Sequence, residues 1–248
     1  MKTVLITGCS SGFGLDTARL FLERDWNVIA TMRTPRPDVL PASSRLRVLA
    51  LDVTDAASIQ ACIDAAGPID ALVNNAGVGV INPLEGVSME TAQAVFATNT
   101  LGTIAMTQAV LAGMRARRTG VIVNVTSAVT MRSLPAMSVY TASKAAVNAF
   151  TESLALELAP LGIRTRLVLP GRSPTTRFGE NARDNMQGDV PAEYAPLLES
   201  IFSRMRVPGP VTHAQDVAEA IWRAVTDAAA PMRIPAGADA EAWAAEAA

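Results

Sequence analysis

Cysteine and histidine are scarce in this 248-residue chain, which has only Cys9, Cys62 and His213. Two thiols are too few for a disulfide framework, and the three scattered donors match no zinc spacing, so a reducing cytoplasm and no structural metal are expected. Charge of either sign is not in excess. The 21 Lys and Arg against 23 Asp and Glu leave a formal net charge of −2, which gives no electrostatic footprint for nucleic acid or an anionic membrane. Long apolar runs are missing too. Val4-Leu5-Ile6 stops at Thr7, short of a signal-peptide core, and no later stretch reads as a membrane span, so a soluble, intracellular protein is expected. Charged residues make up 18% of the chain, against roughly 25% in ordinary soluble domains. That deficit hints at apolar surface covered by another subunit.

What is present is apolar and ordered. Half the residues are hydrophobic, enough for the core of one α/β domain of this length or of two small ones. Short β-branched runs alternate with amphipathic stretches: Thr3 to Ile6, a helical pattern over Gly12 to Arg24, Asn27 to Thr31, Leu46 to Leu51 and Ala71 to Val73. Val121 to Val125, a helical Ser138 to Leu158 and Arg164 to Leu169 continue the series. That alternation predicts an α/β fold, a doubly wound parallel sheet of Rossmann type with about seven strands. No linker divides it, so residues 1–248 read as a single domain. Between 171 and 212, Gly, Pro, Asn and Asp crowd around an amphipathic piece, Glu193 to Met205, and predict a lid over one end of the sheet. The tail from Ala236 is alanine-rich and carries little information.

Thr7-Gly8-Cys9-Ser10-Ser11-Gly12-Phe13-Gly14 lies between the first strand and the first helix, where free backbone N–H groups and the helix dipole favour an anion. Glycine at 8, 12 and 14 permits a tight turn and close backbone approach to a pyrophosphate, although three glycines there are compatible with a plain turn. A rival reading exists in Gly8-Cys9-Ser10-Ser11-Gly12, which matches a hydrolase nucleophile elbow with His213 much later as its base. It fails on position, because an elbow needs earlier strands to build an oxyanion loop. With a dinucleotide in the turn, the end of the second strand reads its ribose. No carboxylate follows Val28-Ile29-Ala30-Thr31-Met32; Arg33 does, and a guanidinium suits a 2′-phosphate, so NADP(H) is favoured over NAD(H). Arg36 stands close enough in sequence to share or take over that role.

Tyr140 and Lys144 are four apart at the start of the Ser138 to Leu158 helix, which sets an ammonium beside a phenol on one face. That ammonium, with a positively charged oxidised nicotinamide, would lower the phenol toward working pH for proton exchange with an alcohol or carbonyl. Ser127 ends the preceding strand thirteen positions before Tyr140, at the sheet edge where ligands bind. Taken singly, each is an ordinary helix pair or turn serine. Thr98-Asn99-Thr100 with Gly102 forms a polar break inside a 31-residue helical pattern from Ser88 to Arg118, a place for a kink.

With these motifs in order, followed by Pro170-Gly171, the chain resembles the short-chain dehydrogenases/reductases from Thr3 to about Ala240, most closely the branch of steroid and retinol dehydrogenases. The resemblance implies that Ser127 bonds the substrate oxygen, Tyr140 is the acid/base, Lys144 holds the nicotinamide ribose and depresses the tyrosine pKa, and Asn99 positions a relay water. With the turn and Arg33 read above, this gives a cofactor site of Gly8, Ser10, Ser11, Gly12, Phe13, Gly14, Arg33, Asp52, Val53, Asn75, Ala76, Gly77, Tyr140, Lys144, Pro170, Gly171 and Thr175, in which the resemblance implies Asp52 and Val53 on the adenine, Asn75, Ala76 and Gly77 bordering the cofactor, and Thr175 or Thr176 reaching the carboxamide or phosphates. Arg172-Ser173-Pro174 departs from the family pattern, and Pro174 lacks a backbone donor. Ser11 stands where many NADP-using members carry a basic residue. The expected activity is hydride transfer between NADP(H) and a moderately hydrophobic secondary alcohol or ketone, with Val80, Val129, Leu134, Met137, Met186 and Tyr194 as candidate walls. A non-catalytic NADP-binding sensor on the same fold is the alternative, and a homodimer or homotetramer is expected. Arg115, Arg117 and Arg118 read as a solvated helix end, His213 as a residue near a helix start, and Cys9 and Cys62 as packing residues, Cys9 being open to modification if exposed.

Overall fold

The computed structural model describes residues 1–174, 176 and 190–246; Thr175 and Met186 lie outside the described residues. Seven parallel strands, β1 (Thr3–Ile6), β2 (Asn27–Met32), β3 (Leu46–Ala50), β4 (Ala71–Asn74), β5 (Gly120–Val125), β6 (Ile163–Pro170) and β7 (Arg233–Ala236), form one sheet in the order β3-β2-β1-β4-β5-β6-β7. The order reverses between β1 and β4, and a doubly wound sheet opens a crevice beyond its strand ends at that point. This is the single Rossmann domain that the strand–helix alternation predicts.

Strand periodicity explains the two cores. Val4, Ile6, Val28, Ala30, Val121 and Val123 point to one face, where they meet α1 (Gly12–Glu23) and α7 (Ala214–Thr226). Leu5, Ile29, Leu72 and Ile122 point to the other, under α2 (Ala56–Ala66), α4 (Gly102–Arg117) and α5 (Ser138–Leu158). Helices therefore cover both faces, so strand residues are apolar in succession. Phe21, Trp26 and Trp222 join α1 to α7 edge to face, with ring centroids 5.1 to 6.0 Å apart. The remaining helices are α3 (Met89–Phe96), α6 (Ala195–Arg206) in the expected lid, and α8 (Ala238–Glu246) in the alanine-rich tail.

The break expected around Asn99 is a π-helical turn, Ala97–Leu101, that joins α3 to α4. Met89–Arg117 is consequently one helix of 29 residues, long and apolar enough to cross a membrane by length and composition. No such stretch is anticipated from the sequence. Its apolar side chains serve the core instead: Val95, Met106, Val110 and Met114 are buried against the sheet and its neighbours, and Asn99, Thr100, Thr103 and Thr107 are buried and hydrogen-bonded among them. Arg117 and Arg118 at its end are exposed and donate to the carbonyls of Ile69 and Pro160, closing neighbouring loops while remaining at the solvated end expected of them. His213 precedes α7, its N–H held by Asp216 at 2.8 Å.

Candidate active site

The glycine turn is built by its partners across the switch point. Gly8 has φ +75°, and a Cβ there would stand 2.9 Å from Cα of Ala76, so the turn requires glycine on both counts. Thr7 Oγ1 accepts from the N–H groups of Asn75 at 3.0 Å and Ala76 at 2.9 Å, while Asn75 Nδ2 donates to the carbonyls of Thr7 and Gly8. Asn75 thus locks the turn to the exit of β4, which explains its identity without a ligand contact. Thr7 is the brace the sequence left without a role. Ser11 caps α1 with no side-chain hydrogen bond, so no side chain of the cap covers the first-turn amides of Gly12, Phe13 and Gly14. An uncapped helix start behind a glycine turn fits an anionic group. The elbow reading finds no support, since His213 makes no hydrogen bond to Ser10 among the described residues. Cys9 is fully buried, donates to the Ile6 carbonyl, and its thiol is pushed up to about 12 by burial, so the modification considered for an exposed Cys9 does not apply.

At the strand ends on the β2 side, Arg33 is exposed and its charge reaches Asp52. Hydrogen bonds from the Thr54 hydroxyl and N–H hold the Asp52 carboxyl below its ordinary range, with Arg33 adding to them. Arg36 instead binds the carbonyl of Ser10 at 2.7 Å, at the rim of the glycine turn. Both arginines therefore lie at the same end of the crevice. Val53 is buried and packs on Gly102, at the start of α4.

On the other side of the switch point, the Tyr140 hydroxyl is hydrogen-bonded to Ser127, and that bond favours the ionised phenol. Burial outweighs it, and the Tyr140 pKa is pushed up to about 12. The lowering expected from the sequence counted an oxidised nicotinamide as well as Lys144, and Lys144 alone does not offset the desolvation of the phenol. Lys144 is itself buried, drawn down to about 8 by desolvation, and donates from Nζ to the Val125 carbonyl at 3.0 Å. A Cβ on Gly77 would lie 3.3 Å from Lys144 Nζ and 3.2 Å from Asn99 Oδ1, so the backbone of Gly77 runs close past both. Asn99 accepts from the Val78 N–H at 2.8 Å and donates from Nδ2 to the Val78 carbonyl and to Ser143 Oγ. Both its N–H groups are engaged in bracing. The water-positioning role implied by resemblance is left to its oxygen lone pairs.

Val80 and Val129 pack on Tyr140 with Val95, and Leu134 and Met137 lie against that group. Tyr194 stands apart from it, partly exposed, with its hydroxyl on the Glu85 carboxylate. β6 ends at Pro170, and the chain beyond Gly171 returns to the glycine turn, where a Cβ on Gly12 would meet Thr176 at 3.4 Å. Thr176, one of the two threonines in question, is placed at the turn. Ser173 Oγ, between these points, is buried without a partner among the described residues, a donor and acceptor that suits a polar ligand group.

Residues 2–187 match the short chain dehydrogenase family. Human "Retinol dehydrogenase 8" is 34% identical over 254 residues, covering 94% of this chain and 80% of that protein. A short-chain dehydrogenase from Burkholderia cenocepacia in complex with NADP superposes with TM-score 0.79 at 27% identity, covering 99% of this chain and 93% of that one. A 3-ketoacyl-(acyl-carrier-protein) reductase from Brucella melitensis complexed with NADH does so with TM-score 0.78 at 25% identity, covering 94% and 96%. With the glycine turn, the Ser127–Tyr140 pair and buried Lys144 along one crevice, the chain belongs to the short-chain dehydrogenase family and is an oxidoreductase similar to retinol and steroid dehydrogenases.

Proposed function

We propose that this protein interconverts a moderately hydrophobic secondary alcohol and the corresponding ketone with NADP(H), using Tyr140 as acid/base. The observation that carries the reading is the hydrogen bond between Ser127 and Tyr140, set beside buried Lys144 at the sheet edge that also holds the glycine turn. The turn from Gly8 to Gly14 and the first-turn amides of α1 would hold the pyrophosphate. Arg33 would take the 2′-phosphate, and Lys144 the nicotinamide ribose. When bound, the cofactor supplies or accepts the hydride at the carbinol carbon.

The Ser127 hydroxyl fixes the substrate oxygen against Tyr140. In reduction Tyr140 gives its proton to that oxygen, and burial suits it to the task by keeping the phenol protonated until charge develops there. In oxidation the proton moves the other way, and positive charge close to the phenol favours its loss. The valines around Tyr140, with Leu134 and Met137, exclude water and favour an apolar substituent.

Arg33 and the absence of a carboxylate at the end of β2 support NADP(H). The test is cofactor binding by thermal shift, then NADPH oxidation against a panel of ketones. Tyr140→Phe should bind NADPH as the wild type does and turn over no ketone, whereas equal turnover by the variant rejects the acid/base assignment. Arg33→Ala should lower the preference for NADPH over NADH by about tenfold, the scale of one lost charge-assisted pair. An unchanged ratio would remove Arg33 from the 2′-phosphate site.

We also propose a homodimer or homotetramer that pairs the face of α4 and α5. Leu101 and Leu156 are 61% and 80% exposed on this helix layer, and a groove between α4 and α5 runs beside Ile104, Leu111 and Phe150.

A further inference from the structure

The alanine-rich tail carries one side chain out of place for a surface helix. Asp239, in the first turn of α8, is only 6% exposed. A buried carboxylate is costly unless its oxygens are bonded, and here both are. Oδ2 accepts from the Arg172 N–H at 2.6 Å, and Oδ1 accepts from Thr212 Oγ1 at 2.7 Å. Thr212 is fully buried and completes a ring: its hydroxyl accepts from the Gly171 N–H at 2.9 Å, and its own N–H donates to the Arg172 carbonyl at 2.8 Å. The Ala236 carbonyl also lies within reach of the single Thr212 proton, at 2.9 Å, but a carboxylate is the stronger acceptor. A Cβ on Gly171 would collide with the Asp239 carboxylate, so glycine there admits the acid.

These bonds seize the main chain directly after Pro170, the segment that leaves β6 and reaches back over Gly12 through Thr176. The same short helix also contacts the chain just beyond β5. Trp243 lies beneath the Arg132 guanidinium at 5.4 Å, and Glu246 meets the same arginine at 3.4 Å, just beyond the turn Ala128–Thr130 that follows Ser127. We propose that Asp239, acting through Thr212, is a positioning residue for the nicotinamide half of the cofactor: it fixes the Gly171–Arg172 backbone that walls this half. The inference rests on the dinucleotide reading above and deepens it.

Calorimetric titration of the full chain separates the two halves of the ligand. NADP+ is compared with adenosine 2′,5′-bisphosphate, which lacks the nicotinamide, and NAD+ with AMP. Asp239→Ala and Thr212→Val should each raise Kd for the whole dinucleotide by about tenfold while leaving the adenosine fragment within about twofold. Thr212→Ser, which keeps the hydroxyl, should bind like the wild type. Amide hydrogen exchange across Leu169–Pro174 in the ligand-free protein should speed up in Asp239→Ala and Thr212→Val and stay slow in Thr212→Ser. Equal weakening of dinucleotide and fragment shows a general fold support and overturns the proposal, as does unchanged dinucleotide binding in a variant whose exchange has accelerated. If Asp239→Ala fails to fold, the Thr212 pair decides alone. Wild-type protein that binds neither dinucleotide nor fragment rejects the dinucleotide reading itself, an outcome distinct from loss confined to the variants.

Discussion

Lys144 and Tyr140 show how burial sets the chemistry of single residues. The chain has only two lysines, Lys2 and Lys144, so the titration of the buried one can be isolated by substitution. Its folded pKa of about 8 lies below the ordinary 10.5. Between those values the unfolded chain binds more protons than the folded one, so the Lys144 contribution to stability rises with pH across this window and is lost as pH falls through it. The ligand-free wild type should therefore gain about 1.5 kcal/mol of unfolding free energy relative to Lys144→Met between pH 8 and 9.5. Chemical denaturation of both proteins at the two pH values measures this. The comparison with the variant matters because Cys9 and Cys62, whose thiols burial raises, oppose the trend in both proteins. Parallel profiles would mean that Lys144 is not desolvated as the structure has it.

Among the elements, the π turn at Ala97–Leu101 repays attention because it carries Asn99 out of the regular helix ladder to the backbone of Val78. Asn99→Ala removes three hydrogen bonds from a site 1% exposed and leaves the Val78 N–H and carbonyl unpaired. Unsatisfied buried groups cost about 1–3 kcal/mol each. A loss of about 2–4 kcal/mol in urea denaturation is the expected result, and a change below about 0.5 kcal/mol would show that water replaces the amide. Legibility differed between elements for physical reasons. Helix α5 runs from Ser138 to Leu158 as its apolar spacing and its stop at Pro160 and Gly162 predict. The break in the long helix was legible from Thr98-Asn99-Thr100, but not the hydrogen bonds of Asn99 to Val78, which depend on a segment 21 residues away. The burial of Asp239 in helix α8 was not legible, since alanine repeats carry no pattern that marks it.

For the whole molecule, the order β3-β2-β1-β4-β5-β6-β7 places the glycine turn, Ser127 and the exit of β6 along one sheet edge. The apolar α4 and α5 face lies on the helix layer and leads to a prediction about assembly. Sedimentation should give a dimer or tetramer for the wild type, and Leu156→Lys should shift it toward monomer; a monomeric wild type would reject pairing on that face.

Taken alone, the amino-acid sequence determined what depends on short separations along the chain. The apolar periods produced the strands and helices, the glycines the freedom to turn after β1, and the four-residue interval the shared helix face of Tyr140 and Lys144, because each follows from local backbone geometry. Only the tertiary structure decided what depends on which distant groups meet and how dry the meeting place is. Tyr140 moves up because the assembled core removes water from it, Asn99 braces Val78 across 21 residues, and Asp239 grips Arg172 across 67. Burial and long-range pairing belong to the folded chain, since no short stretch of sequence contains both partners.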